Sequence, residues 1–269
     1  MSQTNPPATK VDQDGLGDWR LQAATRLAAD LPPTYLGGPS HKAGAAVYLV
    51  TSTEMAGHPN VSFITPSATA LALNSAFRSS ERAAVLWPQI VFDAVPTPEG
   101  SGTSVQLLAQ PVLFDYFEEC LVTASASFQA IEAFANETIG RYLKGTFTIQ
   151  RQKGPEDMDA DTIQRTVSTD EKIATVIPRL LKKTSLKGRV EWKRFKELKG
   201  VRDASIHFKA ADQYPKGGKT DKQSLYYRLL NDNPKQFPRT ALALIWKLRV
   251  DAETPRWLSH LAEKYGSSC

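Results

Sequence analysis

The stretch "PVLFDYFEECLVTASASFQAIEAFANETIGRYL", residues 111–143, carries the strongest helical pattern of the chain. Its apolar side chains recur three and four residues apart, at Leu113, Phe117, Leu121, Phe128, Ile131, Phe134, Ala135 and Ile139. That spacing places them on one face of an α-helix. Pro111 suits the first helical turn, and Gly140 and Gly145 bracket the end. A helix this long spans a whole domain, so residues 105–143 predict the central element of a helical bundle.

Shorter helical patterns lie on both sides of this segment. They cover residues 16–30, 65–95, 168–183, 186–210, 221–230, 237–251 and 254–266. Ser67 or Thr65 suits the N-cap of the second of these, and Pro88 interrupts it. Gly200 predicts a hinge in the fourth. Strand-like stretches are short, at 46–51, 61–64 and 147–150, and residues 96–104 and 150–169 are typical of a linker and a polar loop. The expected fold class is therefore all-α.

Length and composition are those of a globular protein, with 269 residues, 41% hydrophobic and 23% charged. We expect an N-terminal extension over 1–104 with a disordered start, a helical bundle over 105–250, and a C-terminal helix or tail over 251–269. Cys120 and Cys269 are too far apart in sequence to predict a disulfide framework or a zinc site. The polar N-terminus lacks the apolar core of a signal peptide, and no apolar stretch approaches the roughly 18–20 residues that span a bilayer. We expect a cytoplasmic protein with no membrane contact.

Charge is distributed unevenly along the chain. Residues 1–170 hold 11 Lys/Arg and 18 Asp/Glu, a net −7, whereas residues 171–269 hold 22 and 10, a net +12, giving +5 in total. Such a basic half favours a polyanionic partner, nucleic acid above all. Solvated lysine-rich helix faces would produce the same count.

The segment "LKGVRDASIHFKA", residues 198–210, places Arg202, Asp203 and His207 close together. Asp203 and His207 are four residues apart and share a helix face, so the carboxylate can fix the imidazole tautomer. Arg202 and His207 lie roughly 140° apart around an ideal helix and do not converge by default. Ser205 can add one hydrogen bond. A surface ion pair beside an ordinary histidine is the alternative reading.

These side chains suit one kind of chemistry in particular. Histidine transfers protons near neutral pH, and arginine binds phosphate and stabilises its developing charge. RNA carries its own nucleophile, the 2′-hydroxyl, so its cleavage requires only a base, an acid and a cation. His41, His58 and His260 are isolated in the sequence, and the acidic run 156–161 lacks a ligand pattern. We therefore expect neither a metal nor a cofactor.

The chain resembles the HEPN superfamily (higher eukaryote and prokaryote nucleotide-binding helical domains) in three segments. "RDASIH", residues 202–207, matches the R-x4-H motif of that family. "ASASFQAIEAFANETI", residues 124–139, is similar to its long first helix, and "VEWKRFKELKGV", residues 190–201, is similar to the helix that leads into the motif. The resemblance covers roughly residues 105–250.

The resemblance implies a bundle of four to five core helices that acts as a homodimer, with one composite active site between two motifs. His207 would then be the general base or acid, Arg202 would stabilise the scissile phosphate, and Asp203 would orient His207. Glu132 and Asn136, four residues apart on the long helix, would support the site. The alternative is a core ion pair for Glu132 and a packing role for Asn136. The RNA-binding cations would be Lys193, Arg194, Lys196, Lys199 and Lys209.

The implied activity is that of a metal-independent endoribonuclease. The same resemblance implies a role as a toxin or phage-defence effector, held by an antitoxin or regulatory partner. Two other functions are compatible with the sequence. One is a HEPN scaffold that has lost catalysis and binds nucleotides or dimerises. The other is a helical protein that binds nucleic acid through its basic half without cutting it.

Overall fold

The computed structural model describes residues 15–33, 40–97, 100–208, 224–250 and 254–266. Within these ranges the fold is mixed α/β, with a core of eight helices and four two-stranded antiparallel sheets. The prediction of an all-α fold is therefore wrong. The strands form hairpins at the edge of the helical core and do not assemble into a common sheet.

The helices keep the order of the predicted helical segments, except that α3 lies in a predicted loop and the predicted helix over 16–30 does not form. Their bounds are α1 Ala68–Leu86, α2 Gln110–Tyr142, α3 Ala160–Thr166, α4 at residues 169–180, α5 Val190–Ile206, α6 Leu225–Asn231, α7 Gln236–Leu248 and α8 Arg256–Tyr265. α4 is α-helical over Thr169–Glu171, π-helical over Lys172–Val176 and α-helical again over Ile177–Leu180. The structure shows two further short turns of 3₁₀-helix, Trp87–Gln89 and Leu107–Ala109.

The central helix α2 organises the core, as its sequence pattern predicts. Its inward face, including Ile131 and Ile139, is fully buried. α1, α5 and α7 pack around it, and Leu258 and Leu261 of α8 belong to the same buried cluster. Of the eight apolar positions predicted for this face, six are buried, and Phe117 and Leu121 are partly buried and pack against the same cluster.

The strands pair as local hairpins. They are β1 Ala24–Arg26 with β2 Ala46–Tyr48, β3 Val50–Met55 with β4 His58–Ile64, β5 Phe92–Thr97 with β6 Gly100–Val105, and β7 Thr146–Arg151 with β8 Gly154–Asp159. Two-residue turns close the β3–β4 and β7–β8 hairpins, in the first case with Gly57 at φ 77°. A positive φ at such a turn favours glycine.

Low burial explains why the sequence pattern did not predict these hairpins. Of all the strand residues in the described ranges, only Ile149 and Met158 are buried. Strands that cover no core carry no strict apolar alternation. The predicted linker over 96–104 therefore contains much of β5–β6, and the predicted loop over 150–169 contains β8 and α3.

Two helical predictions also need correction. Residues 16–30 form turns and the strand β1 instead of a helix, because their apolar residues pack only partly against the core. α5 runs through Gly200 as one uninterrupted helix, so the predicted hinge is absent. Of the two N-cap candidates for α1, Ser67 is confirmed, and Ser168 caps α4 in the same way. Among the described helices, none combines the length and apolarity that a bilayer crossing requires.

Candidate active site

α5 carries the Arg-His motif and is held against α2 by aromatic and aliphatic packing. Phe195, Leu198 and Val201 are buried, and the rings of Phe195 and Phe128 of α2 stack with centroids 6.0 Å apart. His207 is the C-cap residue of α5, and its side chain is exposed. Its backbone N–H donates to the carbonyl of Asp203 at 2.9 Å, so the backbone keeps its helical bond at this point.

Arg202 points back towards the core. Its guanidinium lies over the ring of Phe128, 4.5 Å from the centroid, and its Nη1 donates to Oδ1 of Asp203 at 2.9 Å. About a third of the side chain, 30%, remains exposed. Within the described residues, no contact joins this guanidinium to His207. Arg202 packs on Phe128 whereas His207 is exposed, and their five-residue spacing places the two positions roughly 140° apart around the helix.

Asp203 and Ser205 hold the Arg202 end of the motif. Besides Arg202, the Asp203 carboxylate faces Nζ of Lys199 at 4.0 Å. Ser205 Oγ donates to the backbone carbonyl of Arg202 at 2.7 Å. In the described part of the chain, neither side chain bonds the imidazole of His207. Asp203 therefore contacts the guanidinium of Arg202 and Ser205 contacts its backbone carbonyl, while the imidazole of His207 stays exposed to solvent.

Glu132 and Asn136 contact the start of α4 and not α5. Thr169 Oγ1 donates to Oε1 of Glu132 at 3.3 Å, and Lys172 Nζ donates to Oδ1 of Asn136 at 2.9 Å. Glu132 thus accepts from a threonine hydroxyl, where the alternative from the sequence was a core ion pair. These two residues fix the position of residues 169–172 at the start of α4, which we call the α4 turn.

The α4 turn also forms ion pairs with α5. Lys196 donates to Oδ2 of Asp170, and Nζ of Lys199 lies 3.2 Å from Oδ1 of the same carboxylate. Glu171 forms an ion pair with Arg151 of β7 at 3.1 Å. Residues 169–172 therefore connect α2, α5 and the β7–β8 hairpin, and they link Glu132 and Asn136 indirectly to the motif helix.

Lys172 is the polar residue of this region that sequence reasoning missed. Its side chain is 1% exposed, and its Nζ donates to the backbone carbonyl of Gln164 at 2.6 Å as well as to Asn136. Burial lowers the pKa of Lys172, and the negative charge of Glu132 partly offsets that effect. The sequence signal for this buried lysine was its position directly before the largely apolar residues "IATVIP", 173–178.

The expected RNA-binding cations differ in their surroundings. Lys193, Arg194 and Lys196 are exposed, whereas Lys199 is half-buried against Asp170. Lys193 faces Glu197 at 4.0 Å, with both side chains largely in solvent. Lys209 lies outside the described residues. Three of the five predicted cations are therefore accessible on α5.

One face of α5 leads directly to His207. Residues spaced three and four apart share a helix face, and this spacing joins Lys193, Lys196, Gly200, Asp203 and His207. We call this set the motif stripe. At Gly200 the stripe is covered by Arg228 of α6, because a Cβ built on Gly200 would lie 2.6 Å from Nη1 and 3.3 Å from Nη2 of Arg228. Sequence reasoning assigned no role to Arg228, and the glycine in the middle of a charged helix was the signal for it.

Exposed apolar side chains flank His207 on both sides in sequence. Ile206 is 54% exposed and Phe208 is 39% exposed. Phe208 meets the ring of Tyr226 edge-on, with centroids 5.8 Å apart, and Tyr226 also contacts Phe117 of α2. The end of α5 therefore combines an open imidazole with an uncovered apolar surface.

A cleft of about 470 Å³ lies elsewhere, between α1 and α2. None of its lining residues belongs to α5 or α6. Two of its arginines, Arg20 and Arg82, form ion pairs with Asp18 and Glu119. The opposite charges of this cleft largely neutralise each other.

In the ranges that the structure describes, no three His, Cys, Asp or Glu side chains come together as ligands for a metal ion. A scan against protein-family models and searches of curated proteins and of solved structures returned no match. The HEPN assignment remains a prediction from the sequence segments that carry the resemblance.

Proposed function

We propose that this chain is an RNA-binding endoribonuclease that cleaves by attack of the 2′-hydroxyl, with His207 and Arg202 as its reactive residues. The observation that carries the proposal is the exposed imidazole of His207, which lies at the end of a helix face bearing Lys193 and Lys196. A proton-transfer group at the end of a cationic helix face suits a phosphodiester substrate.

In the proposed reaction, the imidazole removes the proton of the 2′-hydroxyl. The 2′-oxygen then attacks the adjacent phosphorus, the bond to the 5′-oxygen breaks, and the leaving oxygen takes up a proton. The products are a 2′,3′-cyclic phosphate and a 5′-hydroxyl. Arg202 stabilises the charge that develops on the phosphate. Its packing on Phe128 and its bond to Asp203 limit the conformations of the guanidinium before substrate binds.

A second copy of the chain completes the site in this proposal. Arg202 and His207 leave α5 in different directions, so one chain does not direct both side chains at one phosphate. The exposed Ile206 and Phe208 beside His207 offer an apolar contact for self-association. Two motifs that meet there would supply an imidazole from one copy and a guanidinium from the other.

The test is cleavage of end-labelled single-stranded RNA by the purified protein in excess EDTA. We expect His207→Ala to reduce the rate by about 10²- to 10⁴-fold, because it removes the proton-transfer group. Arg202→Ala should reduce it by about 10²- to 10³-fold, because it removes the charge that stabilises the transition state.

Two exposed residues outside the site serve as matched controls. His58→Ala removes a histidine of β4, and Arg165→Ala removes an arginine of α3, and both should retain wild-type rates. Circular dichroism should show an unchanged fold for all four variants. RNA binding without cleavage that is insensitive to His207→Ala would contradict the proposal and favour a non-cleaving RNA-binding protein.

A further inference from the structure

The segment "RLLKKTSLKGR", residues 179–189, covers the end of α4 and its connection to α5, and holds five lysine and arginine residues with no acidic residue. We call residues 182–189 the basic loop. We propose that the basic loop binds backbone phosphates of single-stranded RNA and extends the binding surface of the motif stripe beyond the N-terminus of α5. This inference rests on the proposed function for the identity of the polyanion.

Hydrogen bonds and a buried leucine order the backbone of the basic loop. Ser185 Oγ donates to the carbonyl of Ala174 at 2.7 Å and accepts from the backbone N–H of Lys187 at 3.3 Å. Leu186 is 3% exposed, and its carbonyl accepts from the backbone N–H of Arg189 at 3.1 Å. The loop therefore presents its cations on a backbone that is ordered before a ligand binds, which lowers the entropic cost of binding.

Lys182 has a backbone conformation that favours glycine. α4 ends in a Schellman motif, in which the backbone N–H of Lys183 donates to the carbonyl of Pro178 at 2.7 Å. The backbone N–H of Lys182 donates to the carbonyl of Arg179 at 3.3 Å. Lys182 itself has φ 53°, in the left-handed region that glycine adopts most readily. A lysine at this position is less stable than a glycine, so its side chain is a candidate for a function.

Three side chains of the basic loop are open to a ligand. Lys182, Lys187 and Arg189 are exposed, and in the described part of the chain none of these side chains forms a salt bridge or a hydrogen bond. Glu191 is the nearest acidic residue in sequence. The hydrogen bond from Lys247 of α7 lowers the pKa of Glu191, with a smaller contribution from Arg189, so this carboxylate is already paired.

Arg189 connects the basic loop to the motif stripe. It is the N-cap residue of α5, and its carbonyl accepts from the backbone N–H of Lys193 at 3.2 Å. Residues four apart share a helix face, so Arg189 continues the stripe by one turn. From Arg189 to His207 the helix covers about 27 Å. A strand that rises about 3.4 Å per nucleotide needs about eight nucleotides for that distance, so the loop contacts phosphates well away from the scissile one.

The experiment measures binding of a fluorescein-labelled, unstructured 14-nucleotide RNA to the full chain in a His207→Ala background, the parent for these variants. The triple variant of the basic loop combines Lys182→Gly, Lys187→Gln and Arg189→Gln. It should bind the RNA about 10- to 100-fold more weakly, because three phosphate contacts are lost. The slope of log affinity against log salt should change from about −4 to about −2, the value that three remaining contacts on α5 would give.

The charge-matched control removes three exposed cations that lie outside α4, the basic loop and α5. It combines Lys42→Gln, Arg78→Gln and Lys144→Gln, and it should bind RNA with the affinity and salt slope of the parent. Circular dichroism checks that both triple variants fold. Parental affinity in the loop variant, or equal losses in the two triple variants, would overturn the proposal.

Lys182→Gly alone separates binding from stability. Its melting temperature should equal or exceed that of the parent, because glycine adopts the left-handed conformation without strain. Its affinity for the RNA should fall by about 3- to 5-fold, and its salt slope should be smaller by about 0.7. Weaker binding with undiminished thermal stability supports the proposal even if the triple variant does not fold. Unchanged affinity would overturn it, and a lower melting temperature would then assign Lys182 to the stability of α4.

Cleavage by the chain with native His207 separates this inference from the proposed function. On the 14-nucleotide RNA the triple loop variant should raise KM and leave kcat nearly unchanged. A 4-nucleotide RNA is too short to reach from His207 to the loop and should be cut at the wild-type rate. If the wild type binds RNA through the basic loop but never cuts it, the proposed function fails and this inference stands. If the triple variant binds and cuts the longer RNA like the wild type, this inference fails and the proposed function stands.

Discussion

At the scale of single residues, the buried polar groups of the core differ in whether they form hydrogen bonds. Lys172 is completely enclosed and satisfies the oxygen atoms of Asn136 and Gln164. Ser127, on α2, is 0% exposed, and its Oγ has no hydrogen-bond partner among the described residues. The first side chain contributes bonds that the core needs, whereas the second contributes none.

Lys172→Met should therefore destabilise the protein by about 1–3 kcal/mol, because it leaves two partly buried acceptors, on Asn136 and Gln164, without their donor. Urea unfolding followed by circular dichroism measures this. The lowered pKa also predicts a pH effect, since between that pKa and 10.5 the unfolded chain binds more protons than the folded one. The free energy of unfolding of the wild type should rise with pH in that window relative to Lys172→Met. An unchanged urea midpoint in the variant would contradict this role.

Ser127→Ala should have the opposite effect. The substitution removes a buried hydroxyl that has no partner, and alanine is the better helix former, so stability should increase by about 0.5–1 kcal/mol. Thermal unfolding measures the change, with Ser168→Ala as the comparison, because that substitution removes an N-cap and should be destabilising. A destabilised Ser127→Ala would show that the hydroxyl has a partner after all.

At the scale of elements, the α4 turn adds a polar connection between α2 and the motif helix α5 to their direct apolar packing. Asp170→Asn should reduce stability by about 0.5–1 kcal/mol at low salt, because it weakens the ion pairs with Lys196 and Lys199. The loss should shrink in 1 M NaCl, where such pairs are screened. Asp161→Asn is the matched control, since its ion pair with Arg165 is fully on the surface. Equal effects of the two variants at both salt concentrations would contradict the connecting role of Asp170.

The helices were largely predictable from sequence because they bury regular faces. Apolar positions such as Ile131 and Phe134 recur at helical spacing, and local signals such as Ser67 and Ser168 mark true caps. The hairpins were not predictable in this way, because nearly all their side chains are exposed and their formation depends on backbone pairing and turns. For the same reason, short strand-like stretches did not reveal the mixed α/β fold.

The candidate site was predictable only in part. The spacing of Arg202 and His207 predicts that the two side chains diverge; Arg202 packs on Phe128, whereas His207 is exposed. The partners of Arg202 could not be read from sequence, because Phe128 lies 74 positions earlier and meets it only through the packing of α5 on α2. The contacts of Lys172 and Arg228 also depend on tertiary packing. The sequence signals were the lysine next to an apolar run for Lys172 and a glycine within the charged helix α5 for Arg228.

At the scale of the whole molecule, the uneven charge predicts salt-dependent RNA binding. If Lys193, Arg194 and Lys196 each contact one phosphate of single-stranded RNA, the slope of log affinity against log salt should be about −2. Affinity should then fall about 20-fold between 50 and 200 mM salt. Fluorescence anisotropy at several salt concentrations measures the slope. Binding that is insensitive to salt would contradict a phosphate-based interface.

Self-association is the second property of the whole molecule that the account predicts. Ile206→Asp should shift the protein towards the monomer and reduce cleavage at least 10-fold, because it places a charge in the apolar contact proposed beside His207. The residue is 54% exposed, so the fold should be retained. Sedimentation velocity measures the oligomeric state, with Leu230→Asp of α6, where the leucine is 38% exposed, as the comparison. A wild-type protein that cleaves RNA as a monomer would contradict the shared site.

The most direct test of the central claim is the chemical identity of the RNA ends left by the wild-type protein in EDTA. The account predicts a 2′,3′-cyclic phosphate and a 5′-hydroxyl, both absent after incubation with His207→Ala. Ends that carry a 5′-phosphate and a 3′-hydroxyl, or RNA that stays intact at every protein concentration, would contradict it.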